Sequence, residues 1–205
     1  MTTRPIPGLI PALLLLTLTA CASSPPTRFF ALDPTSSGGA AAAPAGAESD
    51  NAKPVKIDAV HIPPALDRNS MVRGESGNQL QISSQDRWAG DLGEMIRRVL
   101  TQDLASRLPG GMVIAPDSPA PPSARGLVVD ILTFQPQGTG EVVLDADWTL
   151  LEGTQSNPVL RRTVHLTGSA ASSAQGEAAA MSALLGQLAD SIAGEINGGS
   201  QGTEH

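Results

Sequence analysis

The sequence predicts an α+β fold: a mixed, largely antiparallel sheet with two amphipathic helices packed on one face. Three observations predict it. Apolar and polar residues alternate over several short runs, the period of half-buried strands. Two longer stretches repeat apolar residues every three or four positions, the period of a helix with one buried face. The strand-like runs also fall in neighbouring groups, each followed by one helix, so that strands pair with strands and the helices cover the sheet. Composition fits a single domain with extensions: 40% of the 205 residues are hydrophobic, while Gly and Pro number 21 and 17, breakers enough for long loops. With 2 Trp, 3 Phe and no Tyr, the core must be largely aliphatic.

The chain opens with one charge, Arg4, and an apolar run through Leu9, Leu13, Leu14, Leu15, Leu16 and Leu18. That run is too short to cross a bilayer and suits the apolar segment of a secretory signal over residues 1–20. Leu18-Thr19-Ala20-Cys21 resembles a bacterial lipobox, which makes Cys21, the only cysteine, a candidate acylation site rather than half of a disulfide. In sorted lipoproteins of that kind, Asp after the cysteine favours inner-membrane retention. Here Ala22 follows, and the expectation is an outer-membrane anchor with the domain in the periplasm. Residues 21–28 read as anchor and tether, with Pro25-Pro26 favouring an extended path. A single domain follows at 29–197, with flexible loops at 35–53 and 115–124 where Gly, Ala, Ser and Pro dominate. Residues 198–205 read as a disordered tail.

Within the domain, Phe29-Phe30-Ala31-Leu32 suits a short strand, and residues 55–62 a strand stopped by Pro63-Pro64. Met71-Val72 and Leu80-Gln81-Ile82 flank a Gly- and Asn-containing turn, a hairpin pattern. Residues 86–108 read as a helix, because Trp88, Leu92, Met95, Ile96, Val99, Leu104 and Leu108 share one face. Glu94 and Arg98 are spaced for an i,i+4 pair, and Pro109-Gly110-Gly111 ends the run. Residues 127–134 are almost continuously apolar, as in a strand covered on both faces. In 142–151, Leu144, Ala146, Trp148 and Leu150 alternate with Asp145, Asp147 and Thr149, giving one dry and one wet face. Leu160, Arg162, Val164 and Leu166 alternate less cleanly. Ser172-Ser173-Ala174-Gln175 has capping-box spacing before a final helix over 175–196, with Met181, Leu185, Leu188, Ile192 and Ile196 on one face.

Charge and side-chain inventory narrow the chemistry. Thirteen Lys and Arg against 20 Asp and Glu give a net charge of −7, the wrong sign for phosphate neutralisation, so nucleic acid is not an expected partner. His61, His165 and His205 lack metal-ligand spacing, and no phosphate-binding glycine motif occurs, so neither metal nor cofactor is expected. Asp145 and Asp147 on one strand face, or His165 between Thr163 and Thr167, offer acid–base groups, but the same pattern solvates an exposed face. No enzymatic activity is expected.

The unusual stretch is Ile62-Pro63-Pro64-Ala65-Leu66-Asp67-Arg68-Asn69-Ser70-Met71-Val72. Two prolines fix the backbone, so a corner at Pro63, Pro64, Leu66, Asp67 and Arg68 loses little entropy on binding and is a candidate partner-docking site. The alternative is structural, with Leu66 in the core and Asp67 and Arg68 paired to hold the turn. That corner, Thr27-Arg28-Phe29-Phe30-Ala31-Leu32 after the lipobox, Trp88-Ala89, Ile96-Arg97-Arg98-Val99-Leu100 and Asp103-Leu104 together resemble the ABC-type transport auxiliary lipoprotein family.

The resemblance implies a non-enzymatic outer-membrane component of a transenvelope lipid-transport system. It implies an MCE-domain protein as partner, an inner-membrane ABC permease reached indirectly, and the outer membrane itself through N-terminal acyl chains; it leaves homo-oligomerisation open. A structural or chaperone-like lipoprotein assisting an outer-membrane protein is the alternative that the anchored α+β pattern equally serves.

Overall fold

The computed structural model describes residues 25–36, 53–75, 78–138, 140–153 and 157–199. The signal segment, Cys21, most of the first loop (37–52) and residues 200–205 lie outside the described residues. In chain order the elements are β1 (Arg28–Phe30), β2 (Val55–His61), β3 (Ser70–Gly74), β4 (Leu80–Trp88), α1 (Leu92–Ala105), β5 (Val113–Ile114), β6 (Arg125–Gln137), β7 (Glu141–Glu152), β8 (Asn157–Ser169) and α2 (Ala174–Gly199).

β6 is the spine of the sheet. One edge pairs antiparallel with β7, which pairs antiparallel with β8. The other edge is shared: its first half carries β2 in parallel, and its end meets β3 at Gly74 and Gln137. β4 pairs antiparallel with β3, and β1 closes that side by pairing parallel with β4, Arg28 to Asp86, Phe29 to Arg87 and Phe30 to Trp88. The sheet is mixed, with its longest ladders antiparallel, and both helices lie on one face. α2 lies over β7 and β8 and α1 over β2, and Leu144, Ala146, Trp148 and Leu150 of β7 share one buried core with Leu184, Leu185, Leu188 and Ile192 of α2 and Ile96, Leu100 and Leu104 of α1.

Several elements differ from the sequence expectation. The first helix starts at Leu92, because Asp91 is extended (φ −63, ψ 127) and its carboxylate accepts the Glu94 N–H, an N-cap that fixes the start. Residues 86–88 are strand; Trp88 and Leu92 imitate a helical step of four, although Trp88 ends β4. Glu94 pairs with Arg97, one position nearer than Arg98. β6 is covered on one face only: Leu127, Val129, Ile131 and Phe134 are buried, whereas Leu132 lies exposed where the register slips between Ile131 and Thr133. Such a bulge turns an apolar side chain outward without breaking the strand. The cap of α2 is Ser173, whose hydroxyl accepts the Gly176 N–H at 3.0 Å, one residue later than the Ser172 frame. α2 continues to Gly199.

Candidate functional site

The described chain begins where the tether meets the fold. Pro25, Pro26 and Thr27 are exposed, and then six successive attachments fasten residues 28–35. Arg28 donates to Asp86 Oδ1 from Nε (2.9 Å) and Nη2 (2.6 Å). Phe30 O accepts the Ala89 N–H at 2.8 Å, and Leu32 is in the core. Asp33 N donates to Ser182 Oγ of α2 at 3.1 Å, and Thr35 N to Asp103 Oδ1 of α1 at 2.6 Å. Arg107 Nη1 donates to Thr35 O at 2.9 Å. The segment is a strap: a short strand followed by a stretch clipped to both helices.

Why the strap fits is written in small and charged residues. A Cβ at Gly186 of α2 would lie 2.0 Å from Thr35 Oγ1 and 3.2 Å from Thr35 Cβ, so α2 leaves a notch for the strap. Around Asp86 a charge network joins four elements. Arg73 of β3 donates to both carboxylate oxygens of Glu177 on α2 and, at 3.4 Å, to Asp86 Oδ2; Ser83 Oγ donates to Asp86 Oδ2 at 3.1 Å. Burial opposes ionisation of Asp86, but hydrogen bonds from Arg28 and Ser83 and the neighbouring guanidinium charges outweigh it and hold the carboxyl below the usual range. The Glu177 hydrogen bond raises Arg73 above its ordinary value. Together with the β6–β7 turn, this network lines a cleft of about 540 Å³. A second cleft, about 560 Å³, lies between Phe29, Pro34 and Thr35 of the strap and Ala178 and Ser182 of α2.

Asp103 is the other key group. It is buried, and among the described residues its Oδ2 has no hydrogen-bond partner. Burial pushes its carboxyl up, and the Thr35 N–H and Arg107 charge recover only part of that. Asp103→Ala is expected to destabilise by about 1–3 kcal/mol, because the Thr35 N–H loses its acceptor inside the protein. Asp103→Asn keeps an acceptor and is expected to stay within about 1 kcal/mol of the parent at neutral pH. A carboxyl raised by folding contributes stability that is fully present below about pH 4 and is lost as pH rises through the folded value. Urea titrations from pH 4 to 7 should show that decline in the parent and its absence in Asp103→Asn.

The proline corner is split by the structure. Pro63 O accepts from both Leu66 N (2.9 Å) and Asp67 N (3.2 Å), which makes the turn. Leu66 is buried in the core and offers no apolar anchor to a partner. Pro63 is half-buried, while Pro64, Asp67 and Arg68 are exposed. Among the described residues, Asp67 and Arg68 make no ion pair with one another.

The acid–base candidates lie on the open face of the sheet, opposite the helices. His165 Nδ1 meets Asp145 Oδ1, and Asp147 accepts from Thr163 Oγ1 and Arg161 Nη2, each at 2.7 Å. Those hydrogen bonds, Thr163 first, hold Asp147 below the usual range. His61 and Asp130 form a similar pair at 2.7 Å further along. Neither cleft is lined by these residues. Sequence reasoning gave no role to Asp86, Arg73, Glu177 and Gly186 and met Asp103 only within the Asp103-Leu104 pair of the resemblance; the available signals were that pair and a charged residue, Arg73, beside Met71 and Val72.

Residues 36–193 match the family described as the ABC-type transport auxiliary lipoprotein component. The intermembrane transport lipoprotein PqiC of Escherichia coli (strain K12) is 25% identical over 112 residues, 55% of this chain and 57% of PqiC. The Shigella flexneri PqiC matches to the same extent. The chain thus spans a little over half the length of these curated relatives. Among solved structures, an uncharacterised protein superposes with a TM-score of 0.68 at 22% identity, covering 84% of this chain and 99% of that one. A Xanthomonas campestris protein of the DUF330 family gives 0.65 at 16% identity, covering 85% and 98%. At those identities the likeness shows a shared fold. The match over residues 36–193, on the same α+β fold, means that the chain belongs to the ABC-type transport auxiliary lipoprotein family.

Proposed function

We propose that this chain is the outer-membrane-anchored auxiliary lipoprotein of an MCE/ABC-type lipid-transport system and docks the transenvelope assembly at that membrane. It works without catalysis. The observation that carries the reading is continuity: a lipobox at Cys21, a seven-residue tether, and a strap locked to the sheet and both helices. Such an arrangement keeps the start of the sheet within about 25 Å of the lipid at roughly 3.3–3.6 Å per residue, as a docking post requires. The acyl chains supply the attachment, each buried methylene contributing about 0.8 kcal/mol. Ala22 after the cysteine supports the outer membrane, and the printed name of the PqiC relatives, intermembrane transport lipoprotein, supports transport between membranes.

Affinity purification of the full-length, lipidated chain from solubilised envelopes tests this reading. Co-purification of an MCE-domain protein is the expected result. Recovery of an outer-membrane β-barrel protein in its place would favour an assembly factor instead. Arg68→Ala probes the corner: Arg68 is exposed, so the melting temperature should stay unchanged, with stability within about 0.5 kcal/mol. Loss of the co-purifying protein at unchanged stability assigns docking to Pro64, Asp67 and Arg68; full retention leaves the corner as a turn only.

A further inference from the structure

We infer that the β1–β4–β3 end of the open sheet face rests on the lipid surface, held there by the tether. The inference rests on acylation of Cys21 and deepens the proposed function by naming the membrane-facing surface. From Cys21 to Arg28 the chain spans seven residues, at most about 25 Å when fully extended at roughly 3.3–3.6 Å per residue. β1 runs parallel to β4 from the Arg28–Asp86 level, so its N-terminal end points back toward the start of β4 and the β3–β4 hairpin. That end of the sheet is nearest the anchor.

The same end carries the apolar surface. Among the described residues the exposed large hydrophobic side chains are Phe29 (66% exposed), Leu80 (42%), Ile82 (49%), Leu132 and Val159, and the first three lie on β1 and β4. Leu80 and Ile82 share the open face, and Phe29 stands on the edge strand beside them, where it also borders the cleft against α2. Leu80 and Ile82 stand opposite Gly74 and Val72 in the β3–β4 register, while the intervening Arg73 reaches Glu177 on the helix side. A Cβ on Gly74 would meet the side chains of Gln135 and Gln137, which confirms the direction. Between Ile82 and Arg87, β4 takes five residues where β3 takes two, so its alternation resets: Asp86 turns to the helix side and Arg87 outward. Phe29 is the register partner of Arg87, and its neighbours Arg28 and Phe30 point inward.

The remainder of that face is unsuited to lipid, since it carries Asp130, Asp145, Asp147, Arg161 and His165. Among the described residues of that face, the tether end sets apolar side chains beside a cation that makes no ion pair, whereas Arg161 near Val159 is paired with Asp147. Among the described residues Arg87 makes no ion pair; its side chain is half-buried and its Nε is buried, which leaves the terminal guanidinium nitrogens to meet a lipid phosphate beside Phe29. An exposed aromatic, two aliphatic side chains and a guanidinium within reach of an acyl anchor are the features by which a domain lies on a membrane interface.

The test uses the full-length lipidated chain reconstituted in phosphatidylethanolamine–phosphatidylglycerol vesicles containing brominated lipid. Phe29→Trp and Ile82→Trp report on the proposed surface, and Val159→Trp, exposed on β8, reports on the far edge. The native Trp88 and Trp148 are buried and give a common background. Bromolipid quenching at positions 29 and 82 should exceed that at 159 by about twofold or more, because interfacial side chains reach the acyl boundary. Equal or absent quenching at the three positions in protein that floats with the vesicles overturns the membrane face alone, and is the pattern of a surface covered by a second copy or a protein partner. Protein that fails to float overturns the anchor and this inference with it.

Discussion

Truncating Trp148 to Ala is expected to lower stability by about 3–5 kcal/mol, the usual cost of emptying a fully buried indole site. Trp148 is at the centre of β7, with no exposed surface, between Val129 on β6 and Arg162 on β8. Its removal leaves a void in the core that the sheet shares with the helices. Against a typical domain stability of about 5–15 kcal/mol, that loss should shift the urea midpoint far down and deplete the protein from membrane fractions. Trp148→Phe should cost less than about 2 kcal/mol, because it also removes an indole N–H buried without a partner among the described residues, a group that itself costs about 1–3 kcal/mol. A similar cost for the two variants would show that the indole N–H is satisfied in solution.

Asp86→Ala should destabilise by about 2–3 kcal/mol at neutral pH. Removing one member of a buried ion pair costs about 3–5 kcal/mol; here Arg73 keeps Glu177 and Arg28 is 61% exposed, so hydration recovers part of the loss. The sign with pH is opposite to that of Asp103. A carboxyl held low by folding contributes stability that is present above its unfolded value of about 4 and is lost as pH falls through the folded value. Denaturation below pH 4 should therefore show a falling midpoint in the parent and a flatter profile in Asp86→Asn. The same variants should loosen β1, because Asp86 is the group that Arg28 grips.

Elements whose packing is local in sequence were legible. The helices declared themselves by their 3.6-residue period, β7 by strict alternation, and β1 by Phe29-Phe30-Ala31-Leu32. β4 and β6 misled because each contains a bulge, and a bulge resets the two-residue period on which strand reading depends. The strap was legible as a strand and not as a clamp. Its partners are remote: Arg28 and Asp86 are 58 residues apart, Arg73 and Glu177 are 104, and parallel pairing of β1 with β4 leaves no local mark. Leu66 shows the same limit from the other side. The sequence left it open as a surface anchor beside Asp67 and Arg68 or as a core residue, and the packing of the turn puts it in the core.

Rigid coupling of the lipid anchor to the domain is tested most directly by hydrogen exchange on the mature, lipidated protein. The amides of Asp33 and Thr35 donate to Ser182 Oγ and Asp103 Oδ1, and β1 is paired with β4, so residues 29–35 should exchange as slowly as residues 86–88. Exchange of residues 29–35 at the rate of an unstructured peptide would contradict it, and would place the end of the tether near Val55 instead of Arg28.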